Sequence, residues 1–431
     1  MRRVVLINPP QTELHDPLGY PPQGLLSIAG YLVARDIPTE VVNLADCPME
    51  ELESKGMAAV PDADWYGVGF TTPLYGSAKE LVRLLKKRRN GKVVIGGVHP
   101  PVLSWETFQD IRPDHLVIGD GEVPMFLLAE GAYGDSAPKM ITGKSLAMDR
   151  LPLPTRHLLE DGWQHRGTMH GAKPGQLSTS VVTSRGCPYK CAYCSKYELG
   201  CDVRYRTARQ VYTEVRHLRN VYGIEHVRFV DDVFSLDRNR TDQICHLLEP
   251  LGVTWLAITR ADLVNADILR RMAGAGCTEL CFGVESGSQE QLKRMNKRAN
   301  IDATVETIGL ARKAGIKTKV FLLYGFPGEC RETVEATKEF MRRAQPEAYT
   351  LSTFIPLPGS AVFTNPEKYG VTIRSRDFAR YWFYWDQQLS KDGTGLVDGG
   401  GEGYFIEYPN MAEIIEMRTE LQDFLASGEW R

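Results

Sequence analysis

The feature that most limits the fold of this chain is an alternation, met twice, between short apolar runs and stretches with helical spacing. In the first block the apolar runs are Arg3–Pro10, Thr39–Leu44, Trp65–Thr72, Lys92–Gly97 and His115–Gly119. Gln23–Arg35 sets Leu25, Leu26, Ile28, Ala29 and Leu32 on one helical face, and Ser77–Arg89 reads as a helix with a basic outer face. In the second block the strand candidates are Ser180–Ser184, His226–Val230, Thr254–Thr259, Glu279–Val284, Lys317–Leu323 and Ala348–Phe354. Helical segments lie between them at Ala208–Val221, Asn239–Leu251, Ala266–Ala275, Ile301–Ala314 and Glu332–Arg343. Apolar strands separated by helices predict parallel sheets covered on both faces. The first block is expected to be a doubly wound, Rossmann-like α/β unit. The second has six strand–helix units in about 175 residues, where a closed eight-unit barrel takes about 250, so a partial six-unit barrel is expected.

This division gives residues 1–149 as a first domain, 150–177 as a linker, 178–370 as a second domain and 371–431 as a small C-terminal extension. Arg150–Leu159 carries two prolines, and Gln164–Gln176 reads as an irregular loop whose His165 and His170 are solvated polar residues, not metal ligands. The extension holds an aromatic run at Tyr381–Trp385, a glycine-rich stretch at Asp398–Gly403 and a final helix near Met411–Ala426. The aromatic run either lines a pocket or packs. A net charge of −3 argues against a general nucleic-acid partner. No apolar run approaches the roughly 20 residues that span a bilayer. The start, Met1–Pro10, reads as a first strand and not as a signal peptide, so the expected location is the cytoplasm, with no membrane partner.

Ligands of open parallel sheets sit beyond the carboxyl ends of the strands. In the first block those ends read Asn8-Pro9-Pro10, Thr71-Thr72-Pro73, Gly96-Gly97-Val98-His99-Pro100 and Gly119-Asp120-Gly121-Glu122. Glycine there lets the backbone approach a ligand closely.

Nine cysteines in a long chain of this kind suggest thiolate chemistry, not a disulfide framework. Three stand together in Arg185-Gly186-Cys187-Pro188-Tyr189-Lys190-Cys191-Ala192-Tyr193-Cys194, a C-x3-C-x2-C spacing after the first strand of the second block. Structural zinc takes four ligands, usually as two separated pairs, and Cys201 fits no common zinc spacing as a fourth. Three thiolates can hold a [4Fe–4S] cluster while one iron lacks a protein ligand, where four cysteines are the norm. That open iron can chelate a substrate or cofactor. Cys277 and Cys281 lack a matching pair and read as packing, as do Cys47, Cys245 and Cys330.

This motif, in the loop after the first strand of a partial barrel, resembles that of the radical S-adenosylmethionine (SAM) superfamily. The resemblance implies a [4Fe–4S] cluster on Cys187, Cys191 and Cys194, with SAM bound at the open iron and cleaved to a 5′-deoxyadenosyl radical. Tyr193 matches the family's aromatic before the third cysteine. Gly283-Val284-Glu285-Ser286-Gly287 resembles the segment that contacts the methionine and ribose of SAM, with Glu285 as the polar contact. Arg260 is expected to pair with the SAM carboxylate. Gly325-Phe326-Pro327-Gly328-Glu329 resembles the adenine-side loop. Of Asp231 and Asp232, one is expected to point into the barrel, either to touch substrate or SAM or to cap the next helix.

A doubly wound domain, a proline-containing linker and such a core together resemble the cobalamin-binding, methyltransferase-like subgroup of that superfamily. The resemblance implies cobalamin against Asn8, Pro9, Thr71, Gly96, Gly97, His99, Gly119, Gly121 and Glu122. The Asp-x-His-x-x-Gly motif of many cobalamin domains does not occur, and His99 is expected to be a loop residue more than a cobalt ligand. The implied activity is methylation of an unactivated carbon by SAM and methylcobalamin. The alternative is a non-methylating reaction on the same scaffold: dehydration, cyclisation or ring rearrangement. The resemblance also implies a flavodoxin or ferredoxin-type electron donor, and a substrate that is a small molecule or a residue of a peptide or protein.

Overall fold

The computed structural model describes residues 2–11, 17–159, 165–166, 171–197, 202–378, 406–408 and 410–431. It divides into two compact units, Met1–Gln164 with Asp377–Asp386, and His165–Arg376 with Gln387–Arg431. The Tyr381–Trp385 run, the 398–403 stretch, His170 and Cys201 lie outside the described residues.

In the first unit the described elements are β1 (Val4–Asn8), α1 (Gln23–Val33), β2 (Thr39–Asn43), α2 (Met57–Ala59), β3 (Trp65–Phe70), α3 (Tyr75–Arg88), β4 (Lys92–Gly97), α4 (Ser104–Ile111), β5 (His115–Ile118), α5 (Glu122–Glu130) and β6 (Met140–Thr142). The strands form one parallel sheet in the order β2-β1-β3-β4-β5-β6. The order reverses between β1 and β3, so this is a doubly wound sheet with its ligand crevice outside the carboxyl ends of those strands. Val5, Ile7, Tyr66, Val68, Val93 and Ile95 are buried in the sheet and Leu81 and Leu85 of α3 cover it. That burial on both faces is why the strands read as unbroken apolar runs.

Residues 150–159, within the segment read as a linker, pack along α1. The Thr155 N–H and hydroxyl both donate to the Leu26 carbonyl, at 3.4 and 3.3 Å. A side chain on Gly30 would stand 2.8 Å from the Leu153 carbonyl, so the segment runs directly over the helix backbone.

The second unit contains β7 (His165–Arg166), β8 (Leu177–Val181), β9 (Ser184–Arg185), β10 (Arg204–Tyr205), α6 (Ala208–Tyr222), β11 (His226–Phe229), α7 (Arg238–Leu248), β12 (Thr254–Thr259), α8 (Ala266–Gly274), β13 (Cys277–Glu285), α9 (Gln289–Arg294), α10 (Ile301–Lys313), β14 (Lys317–Tyr324), α11 (Arg331–Ala344), β15 (Ala348–Thr353), α12 (Ala361–Thr364), β16 (Thr372–Ile373), β17 (Ile406–Glu407) and α13 (Met411–Ser427). The sheet order is β15-β14-β13-β12-β11-β8-β7. Six of these strands are parallel, as expected for a partial barrel. The antiparallel β7 lies in the stretch read as an irregular loop and pairs with the edge of β8. It occupies backbone groups that an edge strand would otherwise expose.

Candidate active site

The cysteine loop leaves β8 and is fastened at both ends before α6 begins. The expected strand Ser180–Ser184 is two elements. β8 ends at Val181, and β9 turns away to pair antiparallel with β10. Asp231, which follows β11 and is 1% exposed, causes the break. Its Oδ1 accepts from the Thr183 N–H at 2.6 Å and the Ser184 N–H at 3.0 Å, and its Oδ2 accepts from the Thr183 hydroxyl. From α7, the buried Arg240 donates to the carbonyls of Arg206 and Thr183, at 2.8 and 2.9 Å. Asp231 therefore neither caps a helix nor reaches for a ligand, because α7 is capped by Asp237 and the Asp231 oxygens are taken by the loop. At Gly186 φ is +97° and a Cβ would stand 2.2 Å from the Asp202 carbonyl, so the turn into Cys187 requires glycine. Thr207 and Gln210 then form a capping box that starts α6.

Between these anchors lie Cys187, Cys191 and Cys194, all free thiols, with Cys191 buried. The Ala192 N–H donates to the Met295 carbonyl at 2.8 Å, and the Asn296 amide donates to the Lys190 carbonyl at 2.6 Å. Burial pushes the Cys187 thiol up and the Cys194 thiol up to about 11. A negative charge on Cys191 or Asp232 raises both further, so the three sulfurs and this carboxylate feel one another. A metal is bound by thiolates, so its binding would release the protons that burial holds on Cys187 and Cys194. Among the described residues no three His, Cys, Asp or Glu side chains are gathered as one metal ion needs. One loop with three free thiols fits the cluster's donor set. Asp232, beside it, is ion-paired with Lys196.

Beside the cysteines is a buried polar group. The Tyr193 hydroxyl donates to Glu285 Oε1 at 2.9 Å, and Lys297 Nζ donates to the same oxygen at 2.8 Å and to Tyr193 Oη at 3.0 Å. Glu285 closes β13 at a register shift with φ of +70°, a left-handed conformation uncommon for a side chain of this kind. A Cβ on Gly283 would meet Glu285 Oε1 at 2.7 Å and Lys297 Nζ at 3.0 Å, so Gly283 makes room for the pair.

Arg260 follows β12, but its guanidinium is largely engaged. It makes a two-point pair with Asp262 at 2.9 and 3.0 Å and donates to the carbonyls of Lys297 and Arg298 at 3.0 and 3.1 Å. Its face lies 3.9 Å from the Tyr189 ring centroid. Four of its five donors are thus spent on fixing the 297–298 turn and its own loop. Lys297 was not anticipated from sequence, where it falls in the basic run 293–298 and reads as solvated, yet it is 6% exposed.

Gly325 follows β14 with φ of +76°. Its N–H donates to Glu329 Oε2 at 3.0 Å and its carbonyl accepts from the Tyr408 hydroxyl. Burial raises the Glu329 carboxyl to about 7, against the Thr333 and Gly325 donors that pull it down. A raised folded-state value means stability that is full below the ordinary 4.5 and is lost as pH climbs through 7. Over that interval the wild-type unfolding free energy is expected to fall by up to about 3 kcal/mol more than that of Glu329→Gln. Parallel slopes in urea titrations across this range would contradict it.

In the first unit the strand ends separate into two groups. Thr71, Gly97 and Gly119 present exposed backbone at the carboxyl rim, with Gly96 half-buried beside them. Gly97 has φ of +107° and a Cβ there would lie 2.5 Å from the Phe70 carbonyl. Asn8 and Pro9 are buried below, with the Asn8 amide donating to Asn43 at 2.8 Å. His99 and Glu122 turn inward. His99 Nδ1 lies 2.9 Å from the Thr72 hydroxyl, and the ring contacts Phe70, Tyr75 and Phe378. Burial lowers His99 to about 4, so it is neutral at physiological pH. Glu122 accepts from the Ser27 hydroxyl at 2.7 Å, and Gly121 lies against Ile28 of α1. Thr71 follows a switch-point strand, and the glycines that end β4 and follow β5 continue the same carboxyl rim, where the backbone can approach a ligand closely.

Residues 181–341 match the radical SAM superfamily. The chain is 27% identical over 390 residues to an uncharacterized methyltransferase of Pyrococcus horikoshii, covering 84% of this chain and 82% of that protein. It is 25% identical over 392 residues to the anaerobic magnesium-protoporphyrin IX monomethyl ester cyclase of Rubrivivax gelatinosus, covering 84% and 69%. Among solved structures, the radical SAM methyltransferase TsrM of Kitasatospora setae, with cobalamin and a [4Fe–4S] cluster bound, aligns with a TM-score of 0.68 at 18% identity over 87% of this chain and 81% of that one. With tryptophan and a SAM analogue bound, TsrM aligns with a TM-score of 0.71 at 17% identity over 99% and 89%. That likeness establishes the shared fold.

Proposed function

We propose that this chain, whose residues 181–341 match the radical SAM superfamily, is a cobalamin-dependent radical SAM C-methyltransferase acting on an unactivated carbon. The observation that carries the reading is the cysteine loop: three free thiols, one loop, and both loop ends tied down by buried Asp231 and Arg240. Cys187, Cys191 and Cys194 would hold the cluster. Tyr193, Glu285 and the Gly325 turn would form the SAM side, with Arg260 acting chiefly through the backbone it holds. The rim at Thr71, Gly96, Gly97 and Gly119 would receive cobalamin, with Asn8 and Pro9 beneath it and Gly121, His99 and Glu122 shaping it from behind. When bound, the cluster supplies the electron that cleaves SAM, and cobalamin supplies the metal that carries the methyl group. The protein's part is to hold the sulfurs, orient SAM and keep the Tyr193–Glu285–Lys297 group dry and fixed.

The named activity of the Pyrococcus relative and the cofactors in the TsrM structure support this reading. The Rubrivivax cyclase favours a second one, in which the same scaffold forms a ring without methyl transfer. Tryptophan in TsrM supports a small-molecule substrate over a peptide or protein residue. A flavodoxin or ferredoxin-type donor would supply the electron. The free state of the described cysteines suits a reducing cytoplasm. Among the described residues no helix is long and apolar enough to cross a membrane. Anaerobic purification from cobalamin-fed cells is expected to give about four irons per chain and stoichiometric cobalamin, read by metal analysis and visible spectroscopy. Four irons without cobalamin would shift the reading to the non-methylating class.

A further inference from the structure

We propose that the C-terminal segment of the second unit acts through Tyr408 as a positioning element that fixes the Gly325 turn for SAM. This rests on reading Gly325–Glu329 as part of the SAM site. The Gly325 residue is held from both sides: its N–H by the Glu329 carboxylate within the turn, its carbonyl by a tyrosine 83 residues further along. The neighbouring residue returns the grip, since the Tyr324 hydroxyl donates to the Ile414 carbonyl at 2.6 Å. A barrel tyrosine thus holds a tail carbonyl while a tail tyrosine holds a barrel carbonyl, from adjacent positions at the end of β14.

The tail is built to bear on this point. Tyr408 is buried and follows β17, which pairs with β16. In α13, Ile414 and Met417 are fully buried, and Glu420 bonds to Arg331 at 2.9 Å and to Lys338 of α11. A glycine in a left-handed turn is the costliest kind of residue to order when a ligand arrives. Fastening its peptide beforehand removes that cost from binding. Tyr408 would raise SAM affinity without touching SAM.

The test uses the full, cluster-loaded chain under anaerobic conditions, with SAM binding measured by equilibrium dialysis and iron content and thermal midpoint measured alongside. Tyr408→Phe removes one hydroxyl and is expected to weaken SAM binding about three- to tenfold with iron content unchanged. Tyr324→Phe loosens the tail but leaves the Gly325 carbonyl bonded, so its effect is expected to be smaller. Wild-type affinity in Tyr408→Phe, with weakened binding in Gly325→Ala, would overturn the clamp and leave the turn as a SAM contact. Wild-type affinity in both would remove the turn from the SAM site and the inference with it. Loss of iron in Tyr408→Phe would make the tyrosine a general fold residue and also overturn the proposal.

Discussion

Cys191→Ala is expected to abolish iron–sulfur loading and to reduce 5′-deoxyadenosine formation from SAM by at least about a thousandfold, more than 4 kcal/mol of barrier. The reason is arithmetic as much as chemistry. Three protein thiols already leave one iron open, and two cannot retain a cubane against loss. Cys187→Ala and Cys194→Ala are expected to match it, because each removes one of the three thiols of the same loop. The fold itself should lose only about 1 kcal/mol, the ordinary cost of one small truncation. Cys281→Ala supplies the control. Its thiol is buried in β13 and raised to about 12 by burial, so it behaves as a small apolar group and its loss should leave iron content intact. Iron content and 5′-deoxyadenosine are read together. Full activity in a triple Ala variant would remove the cluster from the account.

Asp231→Ala carries the second largest effect. The substitution leaves the Thr183 and Ser184 N–H groups and the Thr183 hydroxyl without their acceptor in a buried site. It also takes a negative charge from beside the buried Arg240. Stranding buried donors and a buried cation costs about 3–5 kcal/mol. Because the donors belong to the segment that enters the cysteine loop, iron loading should fall along with stability. Asp231→Asn keeps one carbonyl oxygen for both N–H donors and should lose much less of each. Denaturant unfolding and iron content of both variants check this. An Asp231→Ala protein with wild-type stability and iron would show that the loop is held by other means.

What the chain itself announced, and what it hid, divides along local and long-range interactions. The six parallel strands of the second unit and the switch-point sheet of the first were legible because burial on both faces leaves unbroken apolar runs. The three cysteines were legible because their spacing is local. Arg260 and Glu285 were placed at strand ends correctly, but their partners were not visible. The carbonyls of residues 297 and 298 take donors of Arg260, and Lys297 is folded into a buried pair from the middle of a basic run. His99 shows the same limit, since its loop position said nothing of the rings that enclose it. Residues 150–159 looked like a linker because prolines break helices, and their packing on α1 depends on Gly30, over a hundred residues earlier. The strand break at Thr183 follows from Asp231, 48 residues away.

The claim that one chain both cleaves SAM to a radical and takes its methyl group is tested most directly in a single incubation. The purified chain, loaded with iron and cobalamin, is mixed with SAM carrying a deuterated methyl group and a strong reductant, and the products are read by mass spectrometry. Both S-adenosylhomocysteine and 5′-deoxyadenosine are predicted from the same sample, the first reporting methyl removal and the second reductive cleavage. 5′-Deoxyadenosine alone, with the labelled methyl recovered only in methionine, would contradict methyl transfer and leave a non-methylating radical enzyme.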